Sequence, residues 1–194
     1  MRVSRAQADA NREAVINVAS RLFRENGFDG IGLKDLMKGA GLTQGGFYKQ
    51  FKSKDDLAAL ASRRAMESAT RRWSSVAASS SEPLSAVVDF YLSADHRGEM
   101  GDGCPLVALG SDAARQSTEV RSPFQDGIKA HLEVLKELMP AKGEPDVTEK
   151  AMVILSLMVG AVTLSRIMTD ADMSDSLLAA AASQVKRLAS LKED

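Results

Sequence analysis

Between Gly41 and Leu57 the chain reads GLTQGGFYKQFKSKDDL, and few folds accommodate that spacing of residues. Thr43 is placed to cap a helix, with its hydroxyl in reach of a first-turn amide, and Phe47 and Phe51 follow at i and i+4 on one side. That side should be buried. The opposite side carries Gln44, Gly45, Gly46, Tyr48, Lys49 and Gln50, a set of donors, small residues and a cation. Each of the consecutive glycines costs a helix about 1 kcal/mol against alanine, an odd choice for a helix that only packs and a sensible one for a surface that must be approached closely. Upstream, Leu33, Leu36, Met37 and Ala40 recur at helical spacing, and Gly41 lets the backbone turn with positive φ. Helix, short turn, helix is the expected result. In that geometry the second helix enters the major groove of DNA with its N-terminal residues, here Thr43, Gln44, Gly45 and Gly46, at base edges. On this stretch alone, a surface helical hairpin with no nucleic-acid partner is the alternative.

The flanks favour the first reading. Ser53 and Asp56 form a capping-box pair ahead of a new apolar face that begins at Leu57, which places Lys54 at a helix N-terminus. Helix amides, dipole and lysine charge together favour a phosphate there, so Tyr48, Lys49 and Lys54 are expected to hold the DNA backbone. Gly27-Phe28, the segment Leu33 to Gly41, and LTQGGFYKQFKSKDDL together resemble the DNA-binding domain of the TetR family of transcriptional regulators. The resemblance covers about the first third of the chain. It implies an all-α, one-component regulator: a three-helix DNA-binding domain over residues 1–60, with its helix-turn-helix at about 33–52, on an effector-binding and dimerisation body over 61–194, about nine helices in all. Two positions depart from the family pattern, which has Ser or Thr capping the second helix where this chain has Gly32, and Ala where it has Met37. Glycine is a tolerable N-cap, a few tenths of a kcal/mol worse than serine, and Met37 alters packing.

Charge is distributed to match. Residues 1–54 hold ten Lys and Arg against five Asp and Glu, and the remainder fifteen against twenty-one, so a formal net charge of −1 conceals +5 on one part and −6 on the other. A positive end attached to a body of opposite sign is the electrostatic footprint of a nucleic-acid binder. No apolar run follows the N-terminal arginines as a secretory signal would require. The longest apolar run, Ala151 to Leu164, is too short for a membrane span and contains Ser156 and Thr163, so a buried helix is expected there. One cysteine excludes an internal disulfide, and reducing cytoplasm is the simplest compartment.

Along the chain, Arg2 to Asp9 is either an arm that touches DNA or a solvated tail. Val15, Ile16, Ala19, Leu22 and Phe23 stripe a first helix from about Asp9 to Asn26, Gly27 supplies an αL stop, and Phe28 should fold back onto the stripe. A long helix is expected from Lys54 to about Ala78, another from Pro83, a glycine-rich loop over Arg97 to Gly103, and a helix from Cys104-Pro105 to about Ser117. The next should begin at Ser122-Pro123 and stop at Pro140. Asp146 should cap a helix apolar nearly all round from Ala151 to Met168, and a final small-residue helix should run from about Ser174 to Leu191. The last two resemble the family's dimerisation surface, a four-helix bundle made by two subunits.

No metal site, cofactor motif or catalytic constellation is visible, so none is expected: His96 and His131 have no neighbouring ligands at useful spacing, and no Walker, Rossmann or nucleophile-elbow pattern occurs. Cys104, an N-cap beside Pro105, is a possible redox sensor, since the helix dipole lowers a thiol pKa. GCPLV also resembles a TetR subgroup that includes regulators responding to electrophiles or oxidants. A buried structural thiol is the alternative. The effector should be small and mostly apolar, with Tyr91, Leu109, Phe124, Ile128 and Met158 as pocket walls, although each of these can equally be core. The function these features support is a homodimeric repressor released from a palindromic operator by a small-molecule effector. A helical sensor or interaction module without operator recognition, responding through Cys104, is the alternative.

Overall fold

The computed structural model describes residues 4–139 and 146–190, among which there are nine α-helices, one 3-10 helix and no strand. In order these are α1 (Arg5–Asn26), α2 (Leu33–Gly39), a 3-10 helix (Gln44–Lys49), α3 (Lys54–Ala78), α4 (Pro83–Tyr91), α5 (Ala94–Gly98), α6 (Pro105–Ala113), α7 (Thr118–Leu138), α8 (Val147–Ile167) and α9 (Ala171–Ser190). Of the expected arm or tail from Arg2 to Asp9, Arg5 to Asp9 belong to α1, whereas Arg2, the stop at Pro140 and the end at Leu191 fall outside the described residues.

The chain forms two compact units, one from its start to Glu67 together with Met100–Asp126, the other from Ser68–Glu99 together with the chain from Gly127 onward. The boundary therefore differs from a division at residue 60. The reason lies in the first core, where α1 contributes Val15, Ile16, Ala19 and Phe23, the segment between α2 and α3 contributes Phe47 and Phe51, and α6 and the start of α7 contribute Leu109, Ala113, Val120 and Phe124. Burial at about 25 cal/mol per Å² of apolar surface makes that shared core the unit's main source of stability. Phe28 folds back as expected, its ring 5.3 Å from Phe23 and edge-on to Phe124 at 6.4 Å. Gly27 ends α1 with its amide donating to the Phe23 carbonyl at 2.7 Å. Its φ of 76° is positive as expected, but ψ of 169° puts it in the extended, glycine-only region instead of αL.

Other differences are local. α1 starts at Arg5, four residues early, because the Ser4 hydroxyl accepts from the Gln7 amide. The loop expected over Arg97 to Gly103 has its first two residues in a short helix, α5, whose start is capped by Ser93 accepting from the amide of His96 at 3.1 Å. α7 begins at Thr118 with Pro123 inside it; the Ser117 carbonyl takes the Arg121 amide, and burying Val120 and Phe124 on one face holds the early turns. Asp146 stands at the start of α8 but makes no side-chain capping bond, because its carboxylate pairs with Lys150 one turn on.

In the second unit α8 packs along α9, and α9 also meets α4. At 21 residues α8 has the length and apolar composition of a membrane-crossing helix, contrary to the expectation from the shorter run. Its buried stripe includes Ala151, Ile154, Met158, Ala161 and Val162.

Candidate nucleic-acid interface

α2 buries Leu36 and Met37 and turns at Ala40-Gly41, where Gly41 has φ of 71° and the Leu42 amide donates back to the Met37 carbonyl at 2.9 Å. The chain then enters the Gln44–Lys49 segment. This is a 3-10 helix and not the α-helix that the Phe47/Phe51 spacing suggests. Two glycines weaken α-helix propensity, and the tighter i to i+3 pattern takes over. The Gly46 amide donates to the Thr43 carbonyl at 3.1 Å, and the Thr43 hydroxyl makes no capping bond, contrary to expectation. Thr43, Gln44 and Gly45 are exposed and Gly46 is half-buried.

The base of this surface is firm. Phe47 and Phe51 are buried with rings 5.4 Å apart, and the Arg12 guanidinium of α1 lies over Phe51 at 5.3 Å. Tyr48 is 73% exposed, with its ring edge-on to Phe47 at 5.1 Å, so its hydroxyl is carried outward on a fixed stem. Lys49 and Lys52 are exposed beside it. The capping box at the start of α3 is made as expected: the Asp56 amide donates to Ser53 Oγ at 3.0 Å, and Asp56 Oδ2 accepts from the Lys52 amide at 2.9 Å. Lys54 is thereby fixed as the first residue of α3, half-buried at its N-terminus. α3 is held against α1 by Arg64, which donates to Glu13 and Asn17.

Thr43, Gln44, Gly45, Gly46, Tyr48, Lys49 and Lys54 thus lie along one continuous stretch around the Phe47/Phe51 base. An alanine Cβ at Gly45 would meet nothing within 4 Å, so no neighbour inside the protein requires glycine there. Lys34 and Lys38, both exposed one turn apart on α2, were not singled out from the sequence. The signal was present, since positions 34 and 38 flank the buried Leu36-Met37 pair on the helix that crosses the DNA backbone in this geometry.

The five expected effector walls are divided between the two units. Leu109 and Phe124 belong to the first unit's core with Phe28, whereas Tyr91 and Met158 are buried in the second unit and Ile128 is 37% exposed. Packing against the aromatic cluster at Phe23 and Phe28 explains the apolar character of Leu109 and Phe124 without a ligand. In the second unit the Trp73 ring is edge-on to both Tyr91 (5.3 Å) and His131 (4.5 Å), a grouping that sequence spacing does not reveal. Burial pushes the pKa of both histidines below the ordinary value; for His96 the nearby Arg166 and Arg72 add to the effect, while its bond to the Tyr91 carbonyl and the charge of Glu99 oppose it. Arg72 grips Glu99 with two bonds of 2.7 and 2.8 Å, which holds that carboxyl below the usual range. Cys104 stands at the N-cap of α6 as expected, but it is buried and its thiol makes no capping bond.

Residues 15–61 match the family model of bacterial regulatory proteins, tetR family. Over 56 residues the chain is 38% identical to the HTH-type transcriptional regulator AcrR of Shigella flexneri; the match spans 29% of this chain and only about a quarter, 26%, of that protein. A TetR transcriptional regulator from Chloroflexus aurantiacus superposes with a TM-score of 0.78 at 26% identity, covering 94% of this chain and 97% of that one. The reduced form of E. coli NemR does so with a TM-score of 0.76 at 22% identity, covering 92% and 96%. The fold is that of these neighbours: a helix-turn-helix segment in an otherwise all-helical chain. Over residues 15–61 the chain is similar to the tetR family of bacterial regulatory proteins, and the relatives named here are transcriptional regulators.

Proposed function

We propose that this chain is a sequence-specific DNA-binding repressor that works as a homodimer and leaves a palindromic operator when a small effector binds its body. The observation that carries the reading is the outward stretch from Thr43 to Lys49, set on a buried Phe47/Phe51 base after a positive-φ turn and followed by a capped helix that opens with Lys54. Thr43, Gln44, Gly45 and Gly46 meet base edges. Tyr48, Lys49 and Lys54 hold phosphates, with Lys34 and Lys38 beside them.

Dimerisation is supported by what α8 leaves uncovered. Met152, Val153, Leu164 and Ile167 are 48 to 71% exposed and share one face of the helix, while the outward face of α9 carries Ser176, Ala179, Ala180 and Ser183. An apolar face beside a face of small side chains suits close packing against a second copy. Two copies then present two reading segments to successive major grooves. The effector must bind the two conformations unequally, since equal affinity shifts nothing. α3 is the element suited to carry the difference, because it opens with Lys54 and ends among residues of the second unit.

The test is selection of sheared source-genome DNA by the purified protein at two salt concentrations, with the enriched fragments sequenced. Enrichment of a few palindromic intergenic sites, weakening as salt rises, is expected. Weak binding without enrichment would leave a helical sensor module in place of the repressor.

A further inference from the structure

The second unit contains a buried acceptor that nothing among the described residues satisfies. His131 lies on α7 and is 1% exposed. Its Nδ1 is 2.8 Å from the Gly127 carbonyl oxygen and 3.4 Å from Thr70 Oγ1. A carbonyl oxygen only accepts, so Nδ1 carries the proton and donates. Burial disfavours the imidazolium, which leaves Nε2 as a lone-pair acceptor. That atom is buried and receives no hydrogen bond from any described residue. Buried polar groups are nearly always paired, and one that is not calls for an explanation.

The surroundings specify what would pair with it. The ring of His131 meets the edge of Trp73, whose indole also meets Tyr91 edge-on, and all three residues are at most 2% exposed. The recorded polar and ring contacts of His131 are to Gly127, Thr70 and Trp73, all uncharged. A cation or an anion would find no counter-charge among them, whereas a flat ring exchanges edge-to-face contacts with such walls. Resting on the reading of the chain as an effector-controlled repressor, we infer that the effector is an uncharged aromatic molecule with a single O–H or N–H donor, a phenol in the simplest case, which donates to His131 Nε2 and lies against Trp73. Because these side chains are buried, entry parts Trp73 of α3 from His131 of α7. Lys54 opens that same α3, so the ligand acts on an element of the reading surface.

Trp73 is the only tryptophan, so its emission reports the site directly. The full-length protein is titrated with p-cresol and with its methyl ether, which has nearly the same shape but no donor. p-Cresol should change the emission saturably, with the ether at least about tenfold weaker, the worth of one hydrogen bond to a buried group. His131→Asn keeps a donor for the Gly127 carbonyl and removes the acceptor at Nε2; it should bring p-cresol down to the ether's affinity and leave the ether unchanged. His131→Gln, whose amide oxygen can reach the Nε2 position, should restore a preference for p-cresol. Equal binding of the two probes to the wild type, no saturable change with either, or a preserved preference in His131→Asn would each overturn the assignment. If a variant fails to fold, the wild-type ratio still decides. Genome-fragment selection without probe tests the underlying reading separately: operator enrichment with a ratio near one sinks only the phenol assignment, and loss of enrichment sinks the repressor itself.

Discussion

Gly27 and Gly45 are the same residue type with opposite reasons for being there. At Gly27 the backbone sits at φ of 76°, and an added Cβ would stand 2.6 Å from Asp112 Oδ2, the oxygen that accepts from the Phe28 amide at 3.4 Å. Gly27→Ala should therefore destabilise the protein by about 1 to 3 kcal/mol, as strained backbone does, read as a lower urea midpoint. At Gly45 a Cβ meets nothing. Gly45→Ala should keep the wild-type midpoint or raise it slightly, yet weaken binding to the selected operator at least about tenfold through loss of close approach. Unchanged operator affinity in Gly45→Ala would remove this glycine from the contact surface. The two histidines yield a pH prediction at the same scale. Both have their pKa lowered in the folded state by burial, so below the unfolded value of about 6.5 the unfolded chain binds more protons than the folded one. Their stabilising contribution is complete above that value and is lost as pH falls toward the depressed values, with a slope of at most about 1.4 kcal/mol per pH unit for each histidine. Urea unfolding at pH 7.5, 6.5 and 5.5 should show stability falling across this window, and His131→Asn should flatten the fall. A flat wild-type profile would contradict the neutral assignment.

At the scale of elements, α8 and α9 carry the clearest consequence. Ile167 is 71% exposed on a face whose neighbours one and two turns back are Leu164 and Gly160. Placing a carboxylate there by Ile167→Glu should leave helicity intact and convert a dimer to a monomer, measured by light scattering or sedimentation; a variant that stays dimeric would move the interface elsewhere. Elements built on strong local signals were legible in the sequence. α3 runs from Lys54 to Ala78 as its capping box and apolar spacing indicated, and the turn at Gly41 and the return of Phe28 were equally readable. Reading failed where tertiary packing overrode a local mark. Pro123 looks like a helix start, but Val120 and Phe124 are buried together and carry α7 back to Thr118. Phe47 and Phe51 look like one α-helical face, but the paired glycines allow a 3-10 segment that buries both rings. Apolar residues of a core and of a pocket share one spacing, so the sequence alone does not assign Tyr91, Leu109, Phe124, Ile128 and Met158 to either. Only the folded chain separates Leu109 and Phe124, in the first core, from Tyr91 and its neighbour Trp73.

At the scale of the whole molecule, the +5 of the first 54 residues against the −6 of the rest is the charge pattern that the proposed DNA binding calls for. Charge alone makes a non-specific DNA binder, with affinity that falls with salt; specificity must come from side chains at base edges. Those two contributions should separate by residue. The most direct test is to measure binding of the wild type, Gln44→Ala and Lys54→Ala to the selected operator and to all its single-base variants, at several salt concentrations. Gln44→Ala should cost about 1 to 3 kcal/mol and relax discrimination at one position in each half-site. Lys54→Ala should weaken every sequence alike and reduce the salt slope by about one. If Lys54→Ala changed sequence preference with the slope intact, or if neither variant altered binding, the stretch from Thr43 to Lys54 would not be the surface that reads DNA.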